Sequence, residues 1–374
     1  LLELVARNAQ TPMGHRRLLG LRPMTDRRAL EQSLAAIAET IALNEEKQVS
    51  WSFSGLEDPS DAVAILKIRN ASLEPNRLLE LSRICNQAMF VRSAVQPERE
   101  FAPTIWAIVE DIPPTLLAAV GKITKKLLPG GEVDDSASPE LARIRRELNA
   151  QRTRLTKSLE SVMRSSGDAI QDEIVTMRND RYVIPVKSDF RGKVGGVAHG
   201  FSSSGQTVFV EPLEAIEANN ELQNLKGKEE REIARILFDL TEELRENLPG
   251  IEAAVEAVSE LDAIKTKVEF ARRFKAAVPE ISDDGTLELT EARHPLLQAN
   301  LEQLRADSSQ LTAGTKTAFP EIVPSSFSLT AGRSVMIISG ANAGGKTVVL
   351  KTAGLLSLMA ISGLPVPAKR ARIP

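Results

Sequence analysis

Two long helical stretches enclose a short glycine-rich segment, and that order leaves few architectures open to the chain. The first opens at Ser138-Pro139, where Ser138 is placed to cap a helix and Pro139 has no N–H to leave unsatisfied in the first turn. Leu141, Leu148, Leu155 and Val162 then recur every seven residues, with Ile144 and Leu159 beside the seam, until Ser165-Ser166-Gly167. A seven-residue apolar repeat among Arg, Glu and Lys is a coiled-coil register. The second stretch, roughly 213–247, continues the pattern through Leu222, Leu225, Ile233, Ile236, Leu240 and Leu244 and stops at Pro249-Gly250. At a rise of ~1.5 Å per residue each helix reaches ~40–50 Å. One leaving and one returning make either an antiparallel arm or two members of a bundle.

Between them the pattern turns to strands. Arg181–Lys187 (RYVIPVK) and Thr207–Val210 (TVFV) are short runs rich in β-branched and aromatic residues, and Gly192, Gly195, Gly196, Gly200 and Gly205 punctuate the interval. Arg178, Arg181, Lys187, Arg191 and Lys193 outnumber the acids here and are the candidate phosphate contacts, although a solvated face explains such a run equally well. The whole chain of 374 residues has a net charge of −3, so nucleic-acid binding has to come from a local patch rather than from a generally basic surface.

Residues before 130 read as ordinary helices. One runs from Asp26 with Leu30, Leu34, Ile37 and Ile41 on one face, and another starts at Pro75 with Leu78, Leu81, Cys85 and Ala88 on its buried side. Cys85 is the single cysteine, so no internal disulfide forms and a cytoplasmic setting is expected. No apolar run reaches the ~18–20 residues of a membrane span, and no membrane partner is expected. Three scattered histidines, His15, His199 and His294, with one cysteine make no zinc site, and His294 before Pro295 reads as structural. After a helix near 252–275, the runs Leu287–Leu289, Phe327–Leu329 and Val335–Ser339 read as strands, and 307–324 as a loop.

Val335–Ser339 leads into Gly340-Ala341-Asn342-Ala343-Gly344-Gly345-Lys346-Thr347, which meets G-x-x-x-x-G-K-[ST] at every fixed position, and an apolar helical segment, 348–359, follows. The order is dictated by chemistry. A strand delivers the chain to a loop whose backbone N–H groups ring phosphates, and a helix N-terminus adds positive potential. Lys346 is expected on the β- and γ-phosphates of ATP and the Thr347 hydroxyl on Mg²⁺. No acidic Walker B pair follows before Pro374, so no catalytic residue is assigned, and this stretch is expected to bind phosphate without hydrolysing ATP alone.

The P-loop with its continuation VVLKTAGLLSLMAISGLPVPA (348–368) resembles the MutS family of DNA mismatch-repair ATPases, most closely its second bacterial subfamily, the endonuclease MutS-type proteins. ARHPLL (292–297), RNDRYVIPVK (178–187), SGQTVFVEP (204–212) and TPMG (11–14) are similar to that subfamily as well. The resemblance implies a mainly α protein with α/β parts. It divides the chain into a helical core and lever domain (1–130), an outgoing arm helix (131–170), a β-containing clamp (171–212), a returning helix and lever (213–278), and the start of an ABC-type ATPase domain (279–374) cut short within it. It also implies a homodimer with two composite ATP sites whose arms close on duplex or branched DNA, suppression of homologous recombination, and nuclease activity from a C-terminal domain beyond this sequence. Binding rRNA to split stalled ribosomes is the alternative role. The position that stacks an aromatic ring on adenine in some relatives corresponds to Ile322.

Overall fold

A computed structural model describes residues 1–311, 322–339 and 345–374, with side chains except at 306–311. The chain opens with helices α1 (Leu2–Ala6), α2 (Pro12–Leu19), α3 (Arg27–Glu46), α4 (Ser60–Leu66), α5 (Pro75–Val95), α6 (Pro103–Val109), α7 (Leu116–Lys126) and α8 (Pro139–Ser166). Strands β1 (Thr176–Arg178), β2 (Arg181–Lys187), β3 (Gly196–Phe201) and β4 (Thr207–Pro212) precede α9 (Leu213–Glu246) and α10 (Leu248–Phe274). Then come β5 (Glu280–Ile281), β6 (Leu287–Ala292), α11 (Pro295–Leu311), β7 (Ser325–Leu329), α12 (Lys346–Ile361) and β8 (Arg370–Ile373). They form two compact units, one of Leu1–Ala64, Glu80–Val120 and Asn247–Pro374, the other of Ile65–Leu79 and Gly121–Glu246.

In the second unit α8 and α9 run antiparallel, as the cross-links Ser138 to Glu232, Arg145 to Glu229 and Gln151 to the Ala218 carbonyl show. Ser138 caps α8 by accepting from the Leu141 N–H at 3.0 Å, and Pro139 occupies the first turn, as the sequence predicts. Leu141, Ile144, Leu148, Leu155 and Leu159 are buried, but at the far end Met163 is buried and Val162 only half-buried. A straight helix of 3.6 residues per turn drifts from a seven-residue repeat, which moves the seam one position. Ile184, Val186, Val208 and Val210 of β2 and β4 join the same apolar core as Leu155, Leu159 and Leu222.

These strands form an antiparallel sheet in the order β1-β2-β4-β3. β1 turns into β2 at Asn179-Asp180, both left-handed at φ 47° and 60°, the two-residue turn that suits a twisted hairpin. β3 lies where sequence alone shows only glycine punctuation. A Cβ at Gly196 would stand 2.1 Å from the Glu211 carbonyl oxygen, so glycine is required for β3 to reach β4.

The first unit is tied at its centre by α10, which begins four residues before the sequence suggests. α9 does stop at Glu246, but Pro249 serves as a first-turn residue of α10. Asp262, fully buried on α10, accepts from the backbone N–H of Gln10 (3.1 Å) and of Thr11 (2.8 Å) and from the Thr11 hydroxyl (2.7 Å). Thr11 in turn caps α2 by accepting from the Gly14 N–H at 3.0 Å. A Cβ at Gly14 would meet an Asp262 carboxyl oxygen at 2.3 Å, which accounts for the glycine of the TPMG run.

The second sheet, β5-β8-β6-β7, is antiparallel except for the parallel β5–β8 pair. Leu289 of β6 and Ala371 and Ile373 of β8 pack with Leu356 and Met359 of α12 and Phe270 and Phe274 of α10 in one core. Two expectations are corrected here. The loop expected over 307–324 begins later, because α11 stays helical to Leu311; residues 312–321 lie outside the described part. Val335–Ser339 is not a strand, and Val335 and Ile337 are 79% and 89% exposed. No described strand pairs with it, and an isolated extended run has no ladder to satisfy its backbone.

Candidate nucleotide and nucleic-acid sites

Of the P-loop residues, Gly340, Ala341, Asn342, Ala343 and Gly344 lie outside the described residues; Gly345, Lys346 and Thr347 lie within them. Gly345 adopts φ 78°, ψ 6°, a left-handed conformation that glycine takes without a Cβ penalty, and caps α12. Its carbonyl accepts from the N–H groups of Val348 (2.9 Å) and Val349 (3.1 Å), so the helix starts at once behind it. Lys346 is half-buried and Thr347 exposed in the first turn. The far end of α12 is rooted in the core through Leu356, Met359 and Ala360. A left-handed glycine heading a rooted helix, followed by Lys and Thr, fits a phosphate–Mg²⁺ group: Lys346 would neutralise phosphate charge and Thr347 would give the metal its hydroxyl oxygen.

Nearby in sequence terms, Ile322 is half-buried and lines a cavity of about 360 Å³ with Lys275, Arg293, Gln298 and Glu302. His294 sits at the head of α11, where its Nδ1 accepts from the Leu297 N–H at 3.4 Å, and burial lowers its pKa with help from Lys351. The hydrogen bond makes His294 a capping side chain for the first turn of α11.

The five basic residues of the strand-bearing unit divide into two sets. Arg181 is half-buried and turned inward, donating to Glu211 at 2.7 Å and to the Asn220 side-chain oxygen at 2.7 Å. Lys187 donates to the Asp168 carbonyl at 3.0 Å. Arg178, Arg191 and Lys193 are exposed and pair with no carboxylate among the described residues; each lies over a ring, Phe209 at 4.4 Å, Phe201 at 5.7 Å and Phe190 at 4.6 Å. Guanidinium and ammonium groups over aromatic faces keep their charge toward solvent while their stems are held.

Two features of this unit escape sequence reasoning. Phe201 (56% exposed) and Val197 present apolar surface from β3, which is itself missed because glycine hides its strand character. The buried Glu211 carboxylate gathers Arg181, His199 (2.7 Å) and Asn219 (2.9 Å), while Asn219 bonds both backbone groups of Tyr182. The Glu211-Pro212 pair directly after a β-rich run is the one local signal of that network.

The chain is mostly helical with two small sheets, and the helix behind the G-x-x-x-x-G-K-T sequence packs into the core beside one of them, a mainly α build with α/β parts. No protein-family model matches it. Among curated proteins it is 36% identical over 371 residues to an endonuclease MutS2 of Bacillus velezensis, covering 98% of this chain and 44% of that protein. An endonuclease MutS2 of Pelotomaculum thermopropionicum is 38% identical over 302 residues, 80% of this chain and 36% of that protein. The chain belongs to the MutS family, in the group of the endonuclease MutS2 proteins. It spans less than half the length of these relatives.

Proposed function

We propose that the protein is the nucleic-acid-binding and nucleotide-sensing part of an ATP-dependent clamp that acts on duplex or branched DNA. The observation that supports this most directly is the set of exposed, carboxylate-free cations Arg178, Arg191 and Lys193. Cations aimed at solvent beside an exposed Phe201 suit the sugar-phosphate backbone, with no group placed for reading base edges. Arg181 and Lys187, whose donors are already used within the unit, support the strands instead. The P-loop residues Gly340–Thr347 bind ATP with Mg²⁺ in this reading, and the antiparallel α8–α9 pair is the arm that bears the clamp in a homodimer. Suppression of recombination and nuclease activity belong to the whole protein, whose relatives bear the name endonuclease. DNA is the target put forward, in keeping with relatives named endonuclease MutS2.

Counterion release supplies the test. Each phosphate contact adds about 0.9 to the slope of log affinity against log salt, so replacing Arg178, Arg191 and Lys193 by Ala should lower the slope for a four-way junction by about 2–3. An unchanged slope refutes the DNA surface. In the intact protein Lys346→Ala should abolish ATP binding without lowering the melting temperature, and retained ATP affinity refutes the nucleotide site.

A further inference from the structure

A cavity of about 720 Å³ opens in the first unit among α2, α3, α6 and α10, within the roughly 300–1,000 Å³ range of small-molecule sites. Leu21, Met24, Ile108 and Ile264 give it apolar walls. One charged side chain in its lining is out of keeping with them: Lys267 of α10 is only 5% exposed. Its ammonium has three donors, and among the described residues its one hydrogen bond is to the Ser33 hydroxyl, long at 3.4 Å. Ser33 is held there from behind, since Gly363 is so close that a Cβ on it would stand 2.6 Å from the Ser33 oxygen.

An ammonium taken out of water with so few partners is costly, and side chains with that cost are kept where something compensates it. Burial pushes the Lys267 ammonium down to about 8, with Glu260 opposing the shift and Arg17 adding to it. Arg17 and Glu260, both more exposed, also line the cavity and face each other at 3.4 Å. Arg17 also meets Glu256, just outside the cavity, at 2.6 Å, so its charge is matched by two carboxylates, and Lys267 is the lining cation that pairs with no carboxylate among the described residues. A dianion would set its second charge against Glu260, and a neutral ligand would leave Lys267 uncompensated.

We propose that this cavity binds a small organic monoanion, a carboxylate with a compact apolar body, its carboxylate accepting from Lys267 and its body against Met24, Ile108 and Ile264. The site is independent of the P-loop and of the basic tip, so the proposal stands or falls apart from the DNA clamp.

Octanoate is the probe, titrated calorimetrically into the purified protein with 1-octanol as its uncharged counterpart. Saturable octanoate binding, at least roughly tenfold tighter than 1-octanol, is expected, because a charge-assisted hydrogen bond separates the two. Lys267→Met keeps the stem and removes the charge. It should weaken octanoate by about tenfold or more and leave 1-octanol unchanged. Ala107→Trp, an exposed lining position on α6 where a large side chain does not disturb a core, should weaken both ligands by obstructing entry while the melting temperature stays that of the parent. No saturable octanoate binding, equal binding of octanoate and octanol, or octanoate binding that survives Lys267→Met overturns the proposal.

Discussion

Replacing Asp262 by Ala should be among the most damaging single changes in the first unit, for reasons that are read directly from its partners. Its two oxygens accept from the Gln10 N–H, the Thr11 N–H and the Thr11 hydroxyl at 3.1, 2.8 and 2.7 Å. Thr11 is 2% exposed, so water does not replace the carboxylate there. An orphaned buried donor costs about 1–3 kcal/mol, the half-buried Gln10 N–H less, and the hydroxyl about 1 kcal/mol more. The sum is about 3–5 kcal/mol, or a fall in melting temperature of about 6–20 °C for a unit of this size. The loss should propagate into α2, because the Thr11 hydroxyl that accepts from Gly14 is oriented by its own bond to Asp262. Thermal melts followed by circular dichroism measure the size of the effect, and hydrogen exchange at the first turn of α2 locates it. Asp262→Asn, which keeps the volume and one acceptor oxygen but turns an N–H toward a donor, should fall between the two. If Asp262→Ala melts within about 3 °C of the parent, the knot is not what holds α1 and α2 on α10.

Two further outcomes concern the titrating groups. Glu232 is held at about 2 by the Arg235 guanidinium and the Ser138 hydroxyl, with burial opposing. Its folded value lies below the ordinary 4.5, so its contribution is complete above 4.5 and is lost as pH falls toward 2. The melting-temperature gap between parent and Glu232→Gln should be constant at about pH 6–7 and shrink steadily below about pH 4.5; a gap unchanged at about pH 3 contradicts this. Cys85 is fully buried on α5, and burial pushes its thiol up to about 12. A thiol reagent should therefore label it only after denaturation, and rapid stoichiometric labelling of the native protein would show the packing around α5 to be wrong.

Much of the secondary structure was legible because it rests on local rules. The cap at Ser138-Pro139, the stripe Leu30, Leu34 and Ile37, the Pro75 start and the strand RYVIPVK each state their structure within a few residues. The surface of the first sheet was less legible. Five basic residues look alike in sequence, yet Arg181 is drawn inward because Glu211 and Asn220 stand opposite it, and Arg178, Arg191 and Lys193 stay outside. Strand β3 was invisible because the glycines that let it approach Glu211 also erase its β-branched pattern.

Sequence by itself determined the family, the P-loop motif and the helix pair, since motif spacing and apolar periodicity are properties of neighbouring residues along the chain. Tertiary structure alone decided what depends on partners far apart in the chain. Among these are Asp262 receiving the N–H groups of residues some 250 positions earlier, Lys267 buried in the wall of a cavity, and Val335–Ser339 paired with no strand among the described residues despite a strand-like composition. Hydrogen bonds and buried charges are settled by whatever group arrives opposite, and only the folded chain specifies that group.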